Sequence, residues 1–178
     1  MNLSEITIID PIFNLVPLVV LLPLTGIILN LLFGRRWGEK GAGGVASLSV
    51  ILAFVVGVLL ATGLARNPHG AVVPVMDWIT VGDFNLSWAF RVDTLSVTML
   101  LVVTGVGSLI HIYATSYMHS DVRHNGDPDR YSRFFVFFNL FIMAMLLLVT
   151  ADNFLMLFVG WEGVGLCSYL LIGFWFEK

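Results

Sequence analysis

Charged residues are scarce in this sequence: Asp, Glu, Lys and Arg make up 12% of 178 residues, against 58% hydrophobic, and the mean hydropathy is +0.92. A soluble domain carries about twice that share of charge, so a fold wetted on every side is excluded. Cysteine is limited to Cys167, which rules out an intrachain disulfide and a cysteine cluster for metal. There is no basic tract and the net charge is −3, so nothing recommends a nucleic-acid partner. The opening MNLSEITIID holds two acids and no basic region, so it does not read as a signal peptide. The apolar segment after it is longer than a signal's hydrophobic region and reads as a retained helix. No internal repeat is present.

Apolar runs fill the chain instead. Five stretches, 11–33, 45–65, 92–114, 134–151 and 154–176, are long enough to cross a bilayer as helices, since about 20 residues span the ~30 Å hydrocarbon core. The fold class is therefore an all-α polytopic membrane protein of about five transmembrane helices. Arg35, Arg36, Lys40, Arg123, Arg130, Arg133 and Lys178 fall on one side if the helices alternate, and only Arg66 and Arg91 on the other. The positive-inside rule makes the first side cytoplasmic and puts the N-terminus outside. Pro17 and Pro23 in the first segment predict a kink, which membrane helices tolerate.

The chain divides into three parts: helices one and two with a basic loop (1–66), an outer loop (67–91) and helices three to five (92–178). In the outer loop "VPVMDWITV" (73–81) is rich in β-formers, and "FNLSWAF" (84–90) puts Phe84, Leu86, Trp88 and Phe90 on one face. Gly82-Asp83 between them suits a type II′ turn, so a β-hairpin is expected on the outer surface, with Pro74 favouring an edge position. It is either an ordered cap over the helices or a docking element for a neighbouring subunit, because exposed Trp88 and Phe90 are costly without a cover. The stretch "HSDVRHNGDPDRYSR" (119–133) reads as a polar cytoplasmic turn; its histidine and aspartate spacing matches no metal motif.

One residue is out of place in the apolar runs. Glu162 lies near the centre of the fifth helix, in "FVGWEGVGLCSYLLIGFW" (158–175), where a charge costs about 2.5–3.5 kcal/mol on insertion scales. An acid poised between its protonated and ionised forms suits a proton relay; the plainer reading is a neutral acid that holds helices together by hydrogen bonds. No cationic partner is at hand, because the lysines, Lys40 and Lys178, and every arginine fall at membrane edges or in loops. Gly160, Gly163 and Gly165 let a neighbouring backbone approach, and Glu162, Gly165 and Tyr169 share a helix face. Trp161 and Trp175 are packing or interfacial aromatics. His111, placed near the cytoplasmic end of helix three, either passes protons or is an interfacial histidine bonded to a carbonyl. Asp152 reads as the cap of helix five and Asp93 as a helix-start acid.

These residues together resemble a known family. "SRFFVFFNLFIMAMLLLVTADNFLMLFVGWEGVGLCSYLLIGFW" (132–175) resembles the fourth and fifth helices of the antiporter-like subunit L (subunit 5) of respiratory complex I, NADH:quinone oxidoreductase. "GVGSLIHIYATSYM" (105–118) is similar to the end of its third helix, and the hairpin and "FRVDTLSVTMLLVVTGVGSLIHIY" (90–113) fit the same resemblance. The resemblance implies a proton-translocating membrane-arm subunit, driven by quinone reduction elsewhere in the complex, with no redox chemistry and no cofactor in this chain. Flavin, iron–sulfur clusters and quinone are then expected in partner subunits. Glu162 takes the place of the family's relay glutamate, which pairs with a lysine on a later helix; His111 is a second relay candidate. Partners implied are the other membrane-arm subunits, the lipid bilayer, and the rest of the subunit fold after residue 178. The family's outer hairpins join neighbouring subunits, which favours docking by 72–90. A bacterial or archaeal cytoplasmic membrane is the expected location. Two alternatives stay open: a subunit of a multi-subunit cation/proton antiporter, and a purely structural membrane subunit.

Overall fold

Gly38 decides how the first third of the chain folds. In the computed structural model, which describes residues 10–125 and 128–175, the helical stretch Val16–Arg66 is interrupted at Gly38, whose φ of 66° and ψ of −171° are non-helical. Only glycine adopts that region readily, so the chain reverses there into two antiparallel helices, α1 (16–37) and α2 (39–66). Contacts along the pair fix the reversal. Arg66 reaches back to Asp10 at 3.5 Å, and the Asn30 amide donates to the Ala42 carbonyl at 3.2 Å. The kink expected from the prolines does not interrupt α1: Pro17 sits in the first turn, where a missing N–H leaves nothing unpaired, and the chain stays helical through Pro23.

The outer hairpin forms as expected. Strands β1 (Ala71–Val81) and β2 (Phe84–Val92) pair antiparallel, from Ala71 opposite Val92 to Val81 opposite Phe84. Gly82 has φ of 59° and Asp83 does not share the positive sign, the pattern of a type II′ turn. Two bulges, between Pro74 and Met76 and between Asp77 and Ile79, interrupt the ladder. Phe90 and Ala89 are buried, Trp88 is half-buried, and the Trp78 and Trp88 rings meet edge to face at 4.9 Å. The cover expected from a neighbour for Trp88 and Phe90 is thus supplied by this chain's own core, in which Phe90 packs. The large apolar side chains the hairpin leaves exposed are Val72, Val75, Met76, Val81 and Phe84.

Three more helices follow: α3 (Thr94–Asn125), α4 (Pro128–Thr150) and α5 (Phe154–Ile172). Asp93 accepts from the Ser96 amide at 2.8 Å and so starts α3 as expected. The cap of α5 is Asn153, accepting from the Met156 amide at 2.9 Å; Asp152 instead pairs with Arg91 at 2.8 Å, tying the α5 entrance to β2. The polar turn expected over 119–133 is largely helix. Helices can continue past an apolar span into water, and Pro128 at a helix start has the right fixed φ, so α3 and α4 both extend beyond the runs that hydropathy marks. Lys178 lies outside the described residues.

Among the described residues, four helical stretches are long and apolar enough to cross a membrane: Pro11–Arg66, Thr94–Ser120, Arg130–Thr150 and Phe154–Trp175. The first contains both α1 and α2, which gives five spans. Helix α4 is the hub, packing on the α1–α2 pair, α3 and α5. One apolar cluster lies toward the hairpin (Phe13, Leu60, Phe90, Leu100, Leu146, Met156) and another toward Gly38 (Ala46, Met118, Phe135, Phe174). Between them runs a layer of buried polar side chains.

Candidate proton-relay site

Helix α5 is built to lie close on α4 with one face and to leave the other open. A Cβ at Gly160 would stand 2.7 Å from the Leu148 backbone, and one at Gly163 would stand 3.0 Å from the Ala144 methyl. Met156, Gly160 and Cys167 are buried on that side. At 100° per residue Glu162 lies well round the helix from this face, exposed together with Leu155, Phe158, Leu166 and Tyr169. Gly165 shares that open face, as the spacing predicts. Only 17% of the apolar window of α5 is buried, against 39–44% in the other stretches. Among the described residues Glu162 has no hydrogen bond and no ion pair. The acid therefore faces whatever covers α5 from outside these helices.

His111 is placed differently from the expectation. Because α3 runs on to Asn125, the residue sits mid-helix rather than near an end, and it is fully buried rather than interfacial. Its Nδ1 lies 2.8 Å from the Gly107 carbonyl, so the carbonyl contact is present. Its Nε2 lies 2.9 Å from Oδ1 of Asn139 on α4, and the ring stacks on Phe138 with centroids 4.1 Å apart and planes 3° from parallel. The Asn139 amide donates to Ser49 Oγ on α2 at 3.2 Å, and Ser49 donates to the Ala46 carbonyl at 2.7 Å. Three helices thus meet in one buried polar network. Glu162 and His111 are not brought together: Asn139 and the Ala144–Leu148 contact lie on opposite faces of α4, by helical spacing, so α4 stands between them.

Asn139 and Ser49 were not picked out from the sequence. The signal was there, since Asn139 is the one amide in the apolar run 134–151. A cavity of about 820 Å³ opens at the Gly38 end, lined among others by Gly34, Lys40, Thr115, His119 and Tyr131. His119 bonds Glu39 across its mouth.

Antiparallel spans around a buried polar layer, with an ionisable group on an uncovered helix face, define a multi-pass membrane protein. Comparison with known proteins makes this specific. The family model described as "NADH-Ubiquinone oxidoreductase (complex I), chain 5 N-terminus" matches residues 78–135. The chain is 46% identical over 168 residues to NADH-quinone oxidoreductase subunit L of Escherichia coli, covering 92% of this chain and 26% of that protein. It is 41% identical over 160 residues to NADH-ubiquinone oxidoreductase chain 5 of Podospora anserina, covering 90% and 24%. With chain 5 of Phytophthora infestans it shares 38% over 159 residues, covering 89% and 23%. Over about nine tenths of its length the chain is thus similar to the N-terminal part of complex I subunit L, or chain 5, proteins. It spans about a quarter of the length of these relatives.

Proposed function

We propose that this chain forms the N-terminal part of a proton-translocating membrane-arm subunit of NADH:quinone oxidoreductase, with Glu162 as its relay acid. The observation that carries the reading is the placement of Glu162: a carboxylic acid mid-span, on the open face of α5, without a partner among the described residues. Its cation comes from protein outside residues 1–178, either later segments of the same fold or a neighbouring membrane-arm subunit. The charge of Glu162 then switches as that pair opens and closes. Electron transfer through flavin, iron–sulfur clusters and quinone belongs to partner subunits, and this chain performs no redox step. The N-terminus and the hairpin face outward from a bacterial or archaeal cytoplasmic membrane, and the exposed edge at Met76, Val81 and Phe84 docks against a neighbouring subunit.

The test is reductant-driven proton translocation in membranes carrying Glu162→Gln, with assembly of the complex checked in parallel. Pumping is lost while assembly stays intact. Unchanged pumping at normal assembly would leave Glu162 a structural group. An antiporter subunit would instead exchange sodium for protons in the intact assembly without NADH.

A further inference from the structure

The hydrogen bonds around His111 present a problem of donors and acceptors. A neutral imidazole has one N–H and one lone pair, and only an imidazolium donates from both nitrogens. Here Nδ1 faces the Gly107 carbonyl and Nε2 faces Asn139 Oδ1, both acceptors. With the Asn139 amide in this orientation, every contact is satisfied only by a doubly protonated ring. Turning the amide by 180° exchanges its nitrogen and oxygen without changing its shape. The Asn139 nitrogen then donates to a bare Nε2, and its oxygen accepts from the Ser49 hydroxyl, which swings off the Ala46 carbonyl. Nδ1 keeps its proton on Gly107 in both arrangements. The same packing thus holds the ring charged or neutral with no buried group left unpaired.

A second observation bears on how a proton reaches this point. Among the described residues the buried Asn30 Oδ1 has no hydrogen-bond partner, although the Asn30 side-chain nitrogen bonds the Ala42 carbonyl and the Asn30 backbone carbonyl accepts from Ser132 at 3.2 Å. Ser132 and Ala42 line the cavity at the Gly38 end. Asn30 is one turn of α1 from Gly26, about 6 Å along the axis. The absence of a side chain at Gly26 is what leaves room for the network: a Cβ there would fall 2.4 Å from the Asn139 nitrogen and 2.6 Å from Ser49 Oγ. Asn30 therefore sets a buried polar atom beside the cavity, with its Oδ1 toward Gly34, one helical turn from the position where Gly26 abuts Ser49 and Asn139.

We propose that His111, Asn139 and Ser49 form a buried site for one proton, reached from the cavity at the Gly38 end past Asn30, in which rotation of the Asn139 amide accompanies binding. The step balances: a proton leaves a hydronium in the cavity, a new N–H bond forms at Nε2, and the Asn139 and Ser49 donors turn away to Ser49 Oγ and the Ala46 carbonyl. No charge from the packed helices holds the ring in one state. Helix α1 has no charged residue between Asp10 and Arg35, α2 none between Lys40 and Arg66, and α4 none between Arg133 and Asp152. On α3 the nearby titratable groups are Tyr113 and Tyr117, both exposed, and Glu162 stands behind α4. The face of Phe138 accommodates the ring in either form, attracting the cation.

The experiment is solid-state NMR of the full chain in lipid bilayers with histidine ring nitrogens labelled. The His111 resonances are identified by their loss in His111→Gln, and spectra are followed from about pH 5 to about pH 9, a span that contains the range in which imidazole ordinarily titrates. Wild type shows an Nδ1–H neutral ring at the upper end and an imidazolium at the lower. Asn139→Asp, whose carboxylate only accepts, keeps the imidazolium throughout. Asn30→Leu retains both forms but slows their exchange. A wild-type His111 held in one form across the range, a neutral ring protonated at Nε2, or Asn139→Asp titrating like wild type overturns the site; unchanged exchange in Asn30→Leu overturns the route past Asn30. The readout does not depend on Glu162 or on pumping, so this site and the relay role of Glu162 stand or fall separately.

Discussion

At the scale of the residue, small side chains decide as much here as charged ones. Gly160 and Gly165 are both in α5, yet their surroundings differ. A Cβ at Gly160 meets the Leu148 backbone at 2.7 Å, and backbone has no rotamer to give way, whereas nothing lies within 4 Å of one at Gly165. Gly160→Ala should push α5 off α4 and cost about 1–3 kcal/mol, the usual range for overpacking. Gly165→Ala should be neutral or gain up to about 1 kcal/mol of helix propensity. Thermal unfolding of the purified protein in detergent compares the two; equal effects would mean that α5 does not pack through Gly160. The legibility of the sites follows similar lines. Glu162 announces itself because a carboxylate is foreign to an apolar run. Asn139 and Ser49 do not, because one amide or hydroxyl in a membrane helix is ordinary and the two are 90 positions apart.

At the scale of the element, hydropathy located the spans and misjudged the helices. It marks where the chain is apolar, and it cannot see that a helix continues into polar sequence. That is why 119–133 looked like a loop and why His111 looked interfacial instead of mid-helix. The hairpin was legible because Gly82-Asp83 and the alternation on β2 are local signals, while the covering of Phe90 depends on helices distant in sequence. The backbone reversal between α1 and α2 falls at Gly38, the one non-helical residue inside that stretch. Its Cβ would meet nothing within 4 Å, so Gly38→Ala imposes backbone strain and nothing else, about 1–3 kcal/mol. Gly44, on α2 with equally open surroundings, supplies the control, because Gly44→Ala should be neutral or slightly stabilising. Denaturant unfolding of both variants checks the pair, and a harmless Gly38→Ala would show that the reversal does not require this backbone conformation.

At the scale of the whole molecule, the two ends of the bundle are chemically unlike. Asp10, Arg66, Arg91, Asp152 and the hairpin share one end, where the arginines are neutralised: Arg66 pairs with Asp10 and Arg91 with Asp152. The other end gathers Arg35, Arg36, Lys40, Arg130 and Arg133 around the Gly38 reversal and the α3–α4 junction. Such an imbalance of Lys and Arg in short loops sets orientation during insertion. In the proposed orientation the hairpin faces outward and the cavity beside Asn30 opens to the cytoplasm, the side from which the proposed pump would draw its protons. Asp83 and Lys40 are exposed at the two ends, and Cys167 is buried, so single-cysteine labelling is nearly free of background. In right-side-out vesicles a membrane-impermeant maleimide should label Asp83→Cys and spare Lys40→Cys, and inverted vesicles should reverse the pattern. The opposite result would turn the cavity to the outside, making the proposed route past Asn30 an exit for protons instead of an uptake path.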